Sequence, residues 1–209
     1  MSTGRAKRYH HGDLKAALVD GALQLIVERG AQSFSLAELS RRLGVTVAAP
    51  YRHFASRDEL LAAVAVRALE SFGEALAAAS SEADPPEQRL AAMAAGYVRF
   101  AAGQPALFDV VFGVGLDKKQ RNPELREAYE AVEGLLAACV AEVCADDPDG
   151  AEQLANAVEA TSHGYAALLT DQPGTLDPVD VERAADQAAS ATRALIQGRA
   201  ALGAHARSG

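Results

Sequence analysis

Apolar residues recur at helical spacing along almost the whole of this 209-residue chain. Leu14, Leu18, Ala22 and Ile26, for example, repeat every four positions and so form one stripe on a helix. No run keeps up the alternation of apolar and polar residues that a half-buried strand requires. Alanine, the residue with the highest helix propensity, is the commonest residue. We therefore predict an all-α fold.

Clusters of glycine, proline and aspartate divide the chain into about nine predicted helices. We predict helices over 13–29, 36–43, a short stretch after Thr46 that holds Val47, Tyr51 and Phe54, 57–82, 86–102, 105–113, 123–145, 150–170 and 178–199.

The two short helices near residue 44 form a predicted helix-turn-helix. Ser35 and Glu38 have the spacing of a capping box, and Gly44 can end the helix that they begin. Thr46 is placed to cap the next helix, and Phe54 to anchor that helix in the core. Pro50 falls near its first turn, where a missing N–H costs little.

The second helix of such a motif enters the major groove of DNA by its N-terminal end. Thr46 offers a hydroxyl and exposed amides to a phosphate. Tyr51 and His53 can also bind phosphates, which sets the register on DNA without reading its sequence. Ala48 and Ala49 allow the backbone to approach the bases and can contact a thymine methyl.

Few side chains in this segment can read base identity. The best-placed residues are Val47, Ala48, Ala49 and Arg52, and only Arg52 can make a bidentate contact to guanine, worth about 1–3 kcal/mol. The basic arm at the N-terminus could supply further DNA contacts. Its cations either enter a minor groove or belong to a solvated tail. They are Arg5, Lys7 and Arg8.

Charge is unevenly distributed along the chain, whose net charge is −8. Residues 1–60 hold nine Lys or Arg and six Asp or Glu, a net charge of +3, and the remainder holds 11 and 22, a net charge of −11. This division favours a nucleic-acid-binding N-terminal part on an acidic body. A chance surface distribution is the alternative. Likewise, two amphipathic helices joined by glycine occur in many helical bundles, so the residues alone leave DNA binding and plain packing both open.

Other classes of protein find little support in the sequence. No apolar run approaches the roughly 20 residues of a membrane span, and the basic N-terminus lacks the apolar middle of a signal peptide. Cys139 and Cys144 are spaced for neither a zinc site nor a disulfide within one helix. We expect reduced cysteines, no metal, no cofactor and a cytoplasmic protein. A helical hydrolase using His10, His11 or His163 is the enzyme alternative, but no catalytic motif supports it.

The stretch SFSLAELSRRLGVTVAAPYRHFASRDELLAAV (33–64) closely resembles the DNA-binding segment of TetR/AcrR-type transcriptional regulators. The resemblance implies phosphate contacts by Tyr51, His53, Ser35 and Arg57, the last of which stands where lysine is usual. Pro50 replaces the common leucine or isoleucine, as in one subgroup of the family. The resemblance also implies a DNA-binding domain over 1–56 and an effector-binding and dimerisation domain over 57–209.

The C-terminal part resembles the ligand domain of that subgroup. YVRFAAGQPALFDVVFG (97–113) is similar to its helix-proline-helix segment, and ATSHGYAALL (160–169) to its Trp-His-Gly motif, with Ser162 in place of tryptophan. We expect a pocket for a small, hydrophobic effector in this region. Each candidate residue could instead be ordinary core, and a hydrogen-bonded core histidine is the alternative for His163. The candidates are Tyr97, Phe100, Phe108, Phe112, Tyr129 and His163.

The resemblance further implies a homodimer that binds a palindromic double-stranded operator. The last two helices, 150–170 and 178–199, carry apolar stripes that either form the dimer interface or serve the subunit's own core. The expected function is a repressor that an effector releases from its operator by shifting the fourth helix, which begins at Arg57. A transcriptional activator of the same fold and a small-molecule carrier are the alternatives.

Overall fold

The computed structural model describes residues 11–30, 34–81, 83–113, 122–146, 148–171 and 175–200. These residues form eight α-helices and two 3₁₀ turns, Pro50–Arg52 and Pro148–Gly150, and include no strand. The all-α prediction is therefore confirmed for the described part of the chain. The helices are α1 (His11–Arg29), α2 (Leu36–Leu43), α3 (Arg57–Ser80), α4 (Pro86–Gly103), α5 (Pro105–Gly113), α6 (Pro123–Val143), α7 (Ala151–Thr170) and α8 (Pro178–Gln197).

The prediction of a helix after Thr46 needs correction, because the chain forms only one 3₁₀ turn there. Pro50 has no N–H to donate to the Thr46 carbonyl, and that carbonyl accepts from Ala49 N at 2.9 Å instead. Thr46 is not the cap either: the residue before the turn is Ala49, and no side chain caps it.

Residues 11–56, which we call the head, pack around buried side chains of α1 and α2. Leu18, Leu25 and Ile26 of α1 lie against Leu39 of α2, and Phe54 after the 3₁₀ turn is also buried. Ion pairs close the outer edge of this packing: Arg42 binds Glu28 at 2.6 Å, and Arg29 pairs with Glu38. The head is thus a small helical unit whose core is completed by α3.

Residues 57–200, which we call the body, are organised around α4. This helix packs against α3, α5, α6, α7 and α8. Its contact with α8 is built from small side chains, including Ala91, Ala94, Ala185 and Ala188, which allow the two helix backbones to come close. At the rim of that contact the Arg99 guanidinium binds the Glu182 carboxylate at 2.7 Å.

One apolar core runs through both head and body. The largest cluster of buried residues includes Leu18 and Leu39 in the head, Leu60 and Phe72 on α3, and Leu154 on α7. Helix α3 joins the two parts because its N-terminal end packs on α1 and its remaining turns pack on α4, α5 and α6. No helix in the described part of the chain is long and apolar enough to cross a membrane.

Candidate nucleic-acid interface and ligand cavity

The first helix of the predicted motif is capped as its sequence indicates. The Ser35 hydroxyl accepts a hydrogen bond from Glu38 N at 3.2 Å. At the other end, Gly44 has φ +67°, a left-handed conformation that glycine adopts without the strain other residues incur. Gly44 N donates to Arg41 O, and Val45 N donates to Ser40 O at 3.0 Å. These bonds turn the chain sharply toward the 3₁₀ segment.

The segment 46–53 presents most of its predicted DNA contacts to solvent. Val47 is 55% exposed and Tyr51 56% exposed, large values for an apolar and an aromatic side chain. Thr46, Ala48 and Arg52 are exposed as well, whereas Ala49 and His53 are half-buried.

Two buried side chains hold that segment in place. Pro50 and Phe54 point into the head, and His53 N and Phe54 N both donate to Pro50 O at 3.0 Å. Pro50 thus supplies both the break in the helix and an anchor for the turn. The arrangement leaves the polar and cationic groups on the outside.

Arg57 has an internal contact that the sequence did not suggest. Its Nε donates to the Phe34 carbonyl at 3.2 Å, and its guanidinium lies 4.8 Å from the centre of the Phe34 ring. Arg57 therefore ties the N-terminal end of α3 to the residues that precede α2. A phosphate contact from its remaining N–H groups stays a prediction. The basic arm, Arg5, Lys7 and Arg8, lies outside the described residues.

Lys15 is a cation of the head that sequence reasoning passed over. It is exposed on α1, and its Nζ lies 5.9 Å from the centre of the Phe54 ring. Because Phe54 directly follows the 3₁₀ turn and His53, Lys15 lies close to the predicted phosphate contacts. The only available signal was a basic residue directly after Leu14, the first residue of the apolar stripe of α1.

A cavity of about 700 Å³ lies in the body, bounded by α3, α4, α5, α6 and α7. Three of the predicted ligand residues, Tyr97, Phe112 and Tyr129, line it. The rest of the wall is mostly aliphatic or small and was not predicted. Its members include Leu69, Phe72, Leu76, Met93, Val111, Val132, Leu136, Ala155 and Val158.

The other three predicted ligand residues support the wall from behind. Phe100 packs on Phe72 with ring centres 4.9 Å apart. His163 stacks on Phe108 at 5.5 Å, and its Nδ1 lies 2.9 Å from the hydroxyl oxygen of Tyr97. His163 is thus half-buried and bonded to a residue that lines the cavity, and a ligand contact by His163 stays a prediction.

Polar groups in the cavity wall were also not predicted. They are Glu133 on α6 and Asn156, Glu159 and Ser162 on α7. Burial raises the pKa of the Tyr97 hydroxyl, and the Glu159 carboxylate raises it further. Burial raises the pKa of Tyr129 too, with Glu133 adding to the effect. Both phenols are therefore protonated at neutral pH and can donate hydrogen bonds.

Ser162 occupies the position of the tryptophan in the motif that this segment resembles. It is buried, lines the cavity, and donates to the Val158 carbonyl at 2.8 Å. A serine side chain is much smaller than an indole, so this position contributes less bulk to the wall than tryptophan would.

Cys139 and Cys144 are both buried thiols outside any disulfide, and burial raises the pKa of the Cys139 thiol. No group of three or more metal-binding side chains occurs within the described ranges.

Comparison with known proteins matches both parts of the chain to families. Residues 18–64 match the family of bacterial regulatory proteins of the tetR type, and residues 90–192 match a tetracycline-repressor-like C-terminal domain. The HTH-type transcriptional regulator BetI of Rhizobium meliloti is 30% identical over 178 residues, covering 80% of this chain and 82% of the relative. The regulator of the same name from Brucella canis is 33% identical over 87 residues, and this match spans only 43% of that relative's length.

Similar solved structures have the same fold. A protein of unknown function from Rhodococcus sp. RHA1 is 31% identical, with a TM-score of 0.75 over 90% of this chain and 98% of that one. A regulator from Saccharomonospora viridis in complex with choline has 18% identity and a TM-score of 0.65, covering 90% and 97% of the two chains. FadR from Bacillus subtilis in complex with stearoyl-CoA has 15% identity and a TM-score of 0.64, covering 87% and 96%.

The two family matches cover the head and most of the body, and the Rhizobium relative aligns across both. The exposed turn of the head and the cavity of the body correspond to the two parts that the matches describe. This chain belongs to the TetR family of bacterial transcriptional regulators.

Proposed function

We propose that this regulator is a repressor that binds its operator as a homodimer and leaves it when a small molecule occupies the cavity. One observation supports this most directly: helix α3 connects the two sites. Its first residue, Arg57, contacts Phe34 in the head, and Leu69, Phe72 and Leu76 on the same helix line the cavity. At about 1.5 Å per residue this helix is long enough to reach from the head to the cavity, so a shift at one end can move the other.

On the DNA side, the proposed contacts are those that the head exposes. Tyr51, His53 and the Ser35 cap would bind phosphates, and Thr46 would add its hydroxyl. Arg52 would read a base edge, with Val47, Ala48 and Ala49 contributing apolar contacts. These assignments rest on the exposure of the turn and on the resemblance of its sequence to the family.

Helix α5 offers a second connection between ligand and DNA sites. It packs against both α1 and α3, and Val111 and Phe112 near its C-terminal end line the cavity. A ligand that favours one position of α5 or α3 would therefore change how the head sits on the body. Such a ligand must bind the two states with different affinity, and a coupling free energy of about 1–3 kcal/mol is typical.

The proposed dimer uses α7 and α8. Leu168 on α7 is 74% exposed and Val179 on α8 is 64% exposed, an unusual degree of exposure for large apolar side chains. Leu154 and Val158 on α7 and Ala188 on α8 are instead buried within the chain itself. The two helices thus serve the subunit's own core in part, and we assign to the interface only their exposed faces.

Regulators with this fold bind molecules of very different chemistry. Two regulators with this fold hold very different molecules, choline in one and stearoyl-CoA in the other. The cavity of this chain is of a usual size for a small-molecule site, about 300–1,000 Å³. Its mostly apolar wall supports a small effector with a substantial apolar part. The same architecture would also serve an activator.

The test measures operator affinity with and without a molecule that binds the cavity. A labelled operator fragment is titrated with protein, and the cavity ligand is found by thermal shift of the protein alone. The proposal predicts about a five- to 150-fold loss of operator affinity when the cavity is saturated. A cavity ligand that leaves operator affinity unchanged would show that the proposed switch is wrong, and one that strengthens it would favour the opposite response.

A further inference from the structure

Two carboxylates stand in the mostly apolar cavity wall. Glu133 comes from α6 and Glu159 from α7, and the described residues that line the cavity include no lysine or arginine. Both glutamates are exposed, so they place acidic groups at the solvent-facing edge of the wall. A cationic group that enters the cavity would therefore meet acidic side chains and no lining lysine or arginine.

Glu159 is the more informative of the two. It forms no salt bridge with any described residue. It is exposed and lines the cavity, so it lies where the cavity meets solvent. Its charge also reaches the Tyr97 hydroxyl, whose pKa it helps to raise. An entering ligand would thus meet this carboxylate beside the Tyr97 ring.

Aromatic rings form the wall next to that carboxylate. The ring of Phe72 lies 4.9 Å from that of Tyr97 and 6.0 Å from that of Phe112, measured between centres. The Tyr97 and Phe112 rings are 5.8 Å apart. The face of an aromatic ring carries partial negative charge and attracts an organic cation that comes within roughly 6 Å of the ring centre.

We propose that the effector is an organic cation with an apolar body, whose charged head lies between Glu159 and the aromatic wall of Phe72, Tyr97 and Phe112. The inference rests on the proposed ligand-sensing function and names the chemical class that this cavity selects. The same wall disfavours carboxylates and phosphates, because an anion would lie beside Glu159 without a described cation to balance it.

The test uses three probes that share an eight-carbon chain and differ in the charge of the head: octyltrimethylammonium, 1-octanol and octanoate. Binding to the full-length protein is measured by isothermal titration calorimetry. The inference predicts that the cation binds tightest and the anion weakest. In the Glu159→Gln variant, which removes the charge and keeps the shape, affinity for the cation should fall about two- to fivefold, the usual size for an exposed ion pair.

The matched control is Glu152→Gln. Glu152 lies on the same helix, is exposed, and is outside the cavity lining, so it makes the same change of net charge. Affinity of all three probes for this variant should equal that of the wild type. An equal loss in both variants would overturn the inference, because long-range attraction to an acidic protein would then explain the preference.

A neutral fluorescent dye, N-phenyl-1-naphthylamine, separates failure of the charge assignment from failure of ligand sensing. If the dye binds and octanoate or octanol displaces it at least as well as the cation does, the cation class is wrong while ligand binding stands. If neither the dye nor any of the three probes binds, both this inference and the proposed ligand-sensing function are wrong.

Discussion

The head and the body use their side chains in opposite ways. The head presents most of its proposed DNA contacts on one short, continuous stretch of chain, 46–53, and most of these side chains lie at the surface. In the body, residues from five helices, between Leu69 and Ser162 in the sequence, together line one cavity. A surface that binds a long, charged polymer can be formed by neighbouring residues, whereas a cavity for a small molecule is formed by residues that are far apart in the sequence.

The difference is one of function rather than of separate folding, since a single apolar core spans both parts. Leu39 in the head and Leu154 in the body are both fully buried. Replacing either with alanine should lower the free energy of unfolding by about 2–5 kcal/mol, from lost burial and a residual cavity. Both variants should unfold in a single transition, as followed by circular dichroism in urea. Loss of only the head's structure in Leu39→Ala would show two independent units and break the comparison.

A glycine of the body tests how closely its helices must approach. A Cβ added at Gly96 would lie 2.6 Å from the Ala79 Cβ, so α3 and α4 would have to separate. We expect Gly96→Ala to cost about 1–3 kcal/mol of stability and to disturb ligand binding, because both helices line the cavity.

The control for that change is Gly134→Ala on α6. No atom lies within 4 Å of a Cβ added there, so the gain in helix propensity should stabilise the protein by about 0.5–1 kcal/mol. The pair is compared by thermal unfolding and probe titration. Equal effects of the two substitutions would contradict a tight α3–α4 contact.

Two serines of the head that cap helices allow a further test of the comparison. Ser35 caps α2, and Ser56 caps α3, with hydroxyl-to-amide distances of 3.2 Å and 3.1 Å. Each change to alanine should cost about 0.5–2 kcal/mol of stability, because one N–H at a helix terminus loses its partner. Only Ser35→Ala should also weaken operator binding beyond its effect on stability, since Ser35 is the proposed phosphate contact. Equal loss of operator affinity in both variants would remove Ser35 from the interface.

The sequence was most informative where structure is local. The Ser35 cap and the Gly44 turn follow from neighbours along the chain, and both occur as predicted. The prediction of a short α-helix after Thr46 was wrong, and the reason is local as well. Pro50 was judged harmless near the first turn of an α-helix, but its missing N–H leaves a single 3₁₀ turn instead.

The cavity was predictable only in part, because its wall depends on how distant helices pack. Aromatic residues close together in sequence suggested a pocket, and Tyr97, Phe112 and Tyr129 do line one. Glu133 and Glu159 carry no local sign of their position, since a glutamate on a helix surface is usually solvated. That Phe100, Phe108 and His163 lie behind the wall likewise depends on the rotation of α4, α5 and α7 in the packed structure.

The most direct test of the account is whether the exposed turn of the head binds DNA. Fluorescence anisotropy would compare the wild type with the Tyr51→Ala/His53→Ala variant at two salt concentrations. The labelled probe is DNA upstream of the protein's own gene or, if that binds no better than random DNA, the fragment that the wild type selects from genomic DNA. The account predicts tight, salt-dependent binding by the wild type, and about a ten- to hundredfold loss in the variant at an unchanged melting temperature. Equal affinity of the two proteins for that fragment would contradict it.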